Sequence, residues 1–210
     1  LWERRNDKTE NPARPWVVTD RRNGRQQYVY LANFDWYNYL YDDSRPTWDH
    51  NINIKGGTKA LSYMVSGRYY QQKGVNRIEP DMFKSYNFRV KLQAEIKPWL
   101  TIASNTKFFQ SNYKYYGYED EYNNFRKPTL HALASFVPVN PDGTAVSHTS
   151  MTQSSTHYLM DGYSAMMQKG KSFGNKKTQE ITTTFEATFK LHKNFNVKAD
   201  FSYTQGYLHN

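Results

Sequence analysis

A chain of 210 residues with 38% hydrophobic residues, 22% charged residues and a mean hydropathy of -0.91 has no apolar run near the ~20 residues of a membrane helix, which excludes a helical membrane protein. A membrane β-barrel is not excluded, because its apolar positions alternate with polar ones and disappear in an average. The absence of cysteine rules out disulfides, thiolate metal sites and thiol catalysis. The 28 basic residues exceed the 19 acidic ones by nine, with an early concentration at Arg4, Arg5, Lys8, Arg14, Arg21, Arg22 and Arg25. Such a stretch suits an anionic partner, including nucleic acid, or a solvated polar loop. With no recognition helix or RNP-like motif beside it, the solvated loop is the better reading.

Residues 1–46 are polar and punctuated by Pro12, Pro15 and Pro46, which predicts an irregular or short-strand lead-in. Residues 47–112 predict four strands, at about 47–55, 59–72, 84–96 and 99–112. A long loop follows over 113–178, and residues 179–210 predict a hairpin with strands at about 179–192 and 195–208. The segment 84–96 alternates most cleanly. Tyr86, Phe88, Val90, Leu92, Ala94 and Ile96 fall on one side of a strand, and Asn87, Arg89, Lys91, Gln93 and Glu95 on the other. The same period opposes Ile181, Phe185 and Phe189 to Glu180, Glu186 and Lys190, and Val197 and Phe201 to Lys198 and Asp200. The connections alternate short and long: Gly56-Gly57-Thr58, Lys97-Pro98 and Lys193-Asn194 are tight, while 73–83 and 113–178 are long. Outer-membrane barrels have that asymmetry, with short periplasmic turns and long extracellular loops. The expected fold is therefore all-β, an antiparallel transmembrane barrel, partial, with about six strands of a larger barrel. Six strands cannot close a wide barrel, and the chain begins at Leu1 without a leader, so it reads as a piece of something larger.

In a barrel wall the charged positions Arg89, Lys91, Glu95, Glu186, Lys190, Lys198 and Asp200 face the lumen and the apolar ones face outer-membrane lipid. The 18 tyrosines suit aromatic girdles, or a ligand surface built from rigid amphipathic rings. Tyr113, Tyr115, Tyr116, Tyr118 and Tyr122 are the candidate contacts for a ligand or a lid, with a self-packed loop base or girdle as the alternative. Trp36, Trp48 and Trp99 read as interface anchors. Gly170-Lys171-Ser172 lacks the earlier phosphate-loop glycine, since Ala165 occupies that position. The six histidines have no ligand spacing, so no metal site is expected. Glu119-Asp120-Glu121 reads as a solvated acidic turn, with loop calcium as the alternative. No nucleophile has a base beside it, so no enzyme and no cofactor are expected.

The order of motifs over residues 34–208 resembles the SusC/RagA type of TonB-linked outer-membrane transporter. The resemblance rests on Asp35-Trp36, Pro46, His50-Asn51, Gly56-Gly57-Thr58, Ser66-Gly67-Arg68-Tyr69 and Gln72-Lys73-Gly74. It continues through Tyr86-Asn87-Phe88-Arg89, Lys97-Pro98-Trp99-Leu100 and Pro138-Val139-Asn140-Pro141-Asp142-Gly143. Residues 1–33 match poorly. The resemblance implies a wide barrel with a plug, import of an oligosaccharide or peptide, a SusD-type surface lipoprotein as lid, and energy from TonB through parts of the chain absent here. The competing reading is a soluble or surface-anchored β-rich glycan-binding module, whose greasy strand faces pack a sandwich core.

Overall fold

The computed structural model describes residues 4, 6–22, 24–116, 133–146 and 173–209. Two compact units divide the chain. One comprises Leu1–Ser44, Val75–Asp81 and Tyr115–Gly174, and the other Arg45–Gly74, Met82–Lys114 and Asn175–Asn210.

The first unit contains a hairpin, β1 (Val17–Arg22) with β2 (Arg25–Tyr30), and a short helix, α1 (Trp36–Leu40). Asp35 caps the helix, its Oδ1 accepting the Asn38 N–H at 3.0 Å. Trp36 and Leu40 lie four residues apart and therefore share a helix face, which is buried against Phe34, Tyr39 and Phe136. A second cluster joins Trp16, Ala32, Val137 and Val146. Residues 133–146 complete both clusters by pairing with the segment after β2. The N–H of Ala32 donates to the Ser135 carbonyl at 3.1 Å, and that of Phe34 to the Ala134 carbonyl at 2.8 Å. Trp36 thus differs from the interface anchor expected of it. Its ring is buried within protein and its indole N–H donates to the Leu133 carbonyl at 2.9 Å.

The second unit is a six-stranded antiparallel sheet. Its strands are β3 (Thr47–Gly57), β4 (Leu61–Lys73), β5 (Met82–Lys97), β6 (Leu100–Tyr116), β7 (Phe173–His192) and β8 (Phe195–His209). Each strand pairs with the next in sequence, so β3 and β8 are the edges. All six expected strands are present. The largest departures are at β6, which continues to Tyr116, and β7, which begins at Phe173.

Register settles which side chains share a face. The apolar face carries Ile52 and Ile54 of β3, Phe88, Val90 and Leu92 of β5, and Ile181, Phe185 and Phe189 of β7, with Phe201 of β8 opposite Phe185. These side chains are uncovered: Phe88 is 48% exposed, Phe185 56% and Phe201 66%. A sandwich core is therefore not what this face builds among the described residues. Hydroxyl groups within it satisfy one another, as Thr106 and Thr183 do at 3.3 Å. Toward the long connections the face ends in polar aromatics. His50 stacks on Tyr69 with centroids 6.3 Å apart, and Tyr69 packs on Tyr86 at 5.2 Å. Toward the short turns it ends at Trp99, stacked on Phe189 at 6.4 Å.

Candidate functional site

The opposite face of the sheet is polar, and two hollows open on it. The larger, about 570 Å³, is lined by Lys55, Ser62, Met64, Lys91, Asn105 and Glu186 among others. The smaller, about 340 Å³, includes Arg68, Arg89, Lys107 and Glu180. Lys55 of β3 and Glu186 of β7, four strands apart, line one hollow, so the sheet curves toward this face.

All seven charged positions expected at a lumen lie on this one face by register. The structure brings only some of them together. Lys198 Nζ lies 3.0 Å from Glu186 Oε2, and that cation offsets the direct opposition of Glu186 and Asp200 across β7 and β8. Arg89 Nε donates to Asn105 Oδ1 at 2.8 Å. Lys91 lines the larger hollow, while Glu95 and Lys190 lie toward the short turns, away from both Arg89 and the hollows. The face also holds Glu180, which the alternation already set opposite Ile181, and charged residues that the alternation did not mark: Lys55, Lys107, and Asp49 in a 2.6 Å ion pair with Arg68. The signal for them was present but weaker. Asn51, Asn53 and Lys55 alternate with Ile52 and Ile54 over a shorter run than in β5. The cross-strand Thr184–Ser202 and Thr182–Thr204 hydroxyl pairs, at 2.7 and 3.0 Å, complete a wettable wall.

Aromatic rings gather where this face nears the long connections. Arg68 lies over the Tyr70 ring, 5.6 Å from its centroid, and Tyr70 meets Phe83 edge-on at 6.1 Å. Of the tyrosines expected to contact a ligand or lid, Tyr113 is half-buried opposite Phe83 on β6. Tyr115 lies across Gly174 so closely that a Cβ there would overlap its ring, which accounts for a glycine inside a strand. Tyr116 is placed by its backbone alone, and Tyr118 and Tyr122 lie outside the described residues, as do Glu119-Asp120-Glu121 and Gly170-Lys171-Ser172. Among the described residues no three or more histidine, aspartate or glutamate side chains cluster in a way that could hold a metal ion.

In the first unit, the Pro141-Asp142-Gly143 turn is held by its own side chains. Asp142 Oδ1 accepts from the Thr144 hydroxyl at 2.6 Å and the Thr144 N–H at 3.0 Å, and these bonds hold its carboxyl below the ordinary value. Gly143 follows with φ of 83°, a conformation that favours glycine. Asp35 is likewise lowered, first by the Asn38 backbone N–H and then by the Asn38 side chain.

No protein-family model matches the chain. No curated protein matches it significantly either. Solved structures do. A structure of the RagAB peptide transporter aligns with 84% of this chain at 22% identity and a TM-score of 0.56. The RagAB peptide importer in its closed-closed state aligns with 86% at 21% identity and a TM-score of 0.57. The chain spans about a fifth of the length of those chains (19% and 20%). The likeness is one of fold: an all-β, antiparallel, partial barrel of six strands. The proteins it resembles are transporters rather than enzymes.

Proposed function

We propose that these residues form part of the wall of a TonB-linked outer-membrane transporter of the SusC/RagA type, importing a peptide or glycan beneath a SusD-type surface lipoprotein. The inverted polarity of the sheet carries this reading. The ten steps from Tyr86 to Ile96 on the apolar face of β5, at ~3.3 Å each and tilted ~40°, give a band ~25 Å tall, the height of the apolar belt of an outer-membrane barrel. Aromatic rings bound the band at both ends, as at lipid interfaces. The concave polar face is then the lumen wall. The edges of β3 and β8, long and exposed, are where further wall strands pair, since unpaired edges of that length are sticky in water. The short turns face the periplasm, and the long connections, with Tyr113 and Tyr115 at their base, face outward toward cargo and lid. The likeness to RagAB, a peptide transporter, favours a peptide.

The test uses the intact protein in native membranes. These 210 residues contain no cysteine, so Val90→Cys and Lys91→Cys each place one thiol in this segment for an environment-sensitive fluorophore. The expected result is quenching at position 90 by a lipid-borne quencher and at position 91 by a water-soluble one. Absence of lipid quenching at both positions sinks the reading and leaves a protein-covered face.

A further inference from the structure

Four cations occupy two adjacent rows of the polar face. Lys55, Met64, Lys91 and Asn105 stand side by side from β3 to β6, and the next row toward the long connections holds Asn53, Ser66, Arg89 and Lys107. Neither row contains an acid on these strands. Arg89 and Lys107 are directly opposed, an arrangement that destabilises a sheet. The acids of the face do not relieve it. Asp49 is paired with Arg68 and Glu186 with Lys198, while Glu180, which lines the smaller hollow, makes no ion pair with any of the four, and neither do Glu95 and Asp200.

A solvated lumen wall needs polar residues, not like charges in register. Uncharged polar residues would wet it equally well without the repulsion. Above these cations lie the two hollows, and Arg89 is held by Asn105 through its Nε, which leaves the guanidinium Nη groups for a planar two-oxygen acceptor. From β3 to β6 the strip extends over three inter-strand spacings, ~14 Å, enough for two or more carboxylates of an extended oligomer.

We infer that this strip binds carboxylate groups of an extended anionic oligomer. The inference deepens the transporter reading, on which the role of that oligomer as cargo rests. The strip supplies the charge that the anion neutralises, so binding weakens with salt.

The experiment measures binding of fluorescent hexaglutamate and tetragalacturonate to the intact protein in detergent, with hexaglutamine and a neutral tetrasaccharide as uncharged counterparts. Expected is binding of at least one anionic probe, weaker at higher salt, and none of the neutral ones. The arm that binds names the source of the carboxylate, peptide or uronic acid, and binding of both shows that the strip reads charge alone. Lys107→Glu gives the sharper readout. It turns the Arg89–Lys107 opposition into an attractive pair, so the barrel resists urea as well as or better than the parent while the anion binds at least roughly tenfold more weakly. Lys84→Gln, on the other face of β5, leaves binding within about twofold. Failure of both anionic probes to bind, or equal binding by the Lys107→Glu protein, overturns the inference. Lipid quenching at position 90 with no anion binding overturns it while leaving the transporter reading intact.

Discussion

Every buried hydrophobic residue among those described, Trp16, Ala32, Trp36, Leu40, Val137 and Val146, belongs to the first unit, and the six-stranded sheet has none. The buried positions of the sheet are instead Ser85 and Ser111, directly opposed on its polar face. The first unit is arranged as a protein in water is, with indoles and aliphatic groups inside. In the sheet the large apolar side chains lie outside and the hydroxyl and charged groups line the concavity. Both regions use the same residue types, so composition does not separate them. What separates them is what covers each apolar surface: protein in the first unit, and nothing among the described residues in the sheet.

The largest expected effect is in the first unit. Trp36→Ala removes a buried ring and leaves the Leu133 carbonyl without its indole donor, a loss of ~3–5 kcal/mol. Hydrogen exchange of the Ala32 and Phe34 amides reads it, because both donate to the 133–146 segment that Trp36 anchors. Their protection should fall by more than about 100-fold. Unchanged protection would mean that the two clusters do not form as one core.

In the sheet the same kind of insult must come from outside. Leu92 lies mid-band on the apolar face, so on the transporter reading Leu92→Arg should destabilise the protein by ~2–4 kcal/mol in urea unfolding from liposomes. Gln93→Arg, one residue along and on the polar face, should be near neutral. Equal effects at the two positions would erase the distinction between the faces.

These two regions also differ in how far the sequence announced them. Strand β5 was legible almost to its ends, expected over 84–96 and found as Met82–Lys97, because one of its faces is apolar and the other polar over its whole length, which imposes strict alternation. The start of β7 was not. Residues Phe173–Thr178 carry no apolar period, since they lie beyond the band, with Gly174 accommodating Tyr115. Helix α1 has five residues, too few for a 3.6-residue period to register. Its packing partner is about a hundred residues away in sequence, which is why Trp36 read as an interface anchor. Of the polar face, the charges on β5, β7 and β8 were legible. The strip shared with β3 and β6 emerges only from cross-strand register.

A smaller effect separates packing from hydrogen bonding within the first unit. The Tyr30 hydroxyl donates to Asn140 Oδ1 at 2.6 Å, and Asn140 is buried. Tyr30→Phe keeps the ring against Phe136 and removes only that donor, so about 1 kcal/mol should be lost. Exchange at the Val146 amide, which donates to Pro138, measures it. A loss as large as that of Trp36→Ala would show that the hydrogen bond, not the cluster, organises 133–146.

The smallest effect concerns acid. Asp142 is bonded as a carboxylate by both donors of Thr144, so its folded value lies below the ordinary 3.8. A depressed carboxyl stabilises the fold at every pH above its unfolded value, and that contribution is lost as pH falls through the folded value. The turn should therefore keep constant protection from neutral pH down to the ordinary carboxylate range and loosen only below it. Exchange at the Thr144 amide, corrected for its intrinsic pH dependence, is the measurement. In Asp142→Asn the acid step should vanish, because an amide accepts the same hydrogen bonds without titrating. A step well above the ordinary value, near pH 6, would assign the loosening to another group and remove Asp142 as the clamp of this turn.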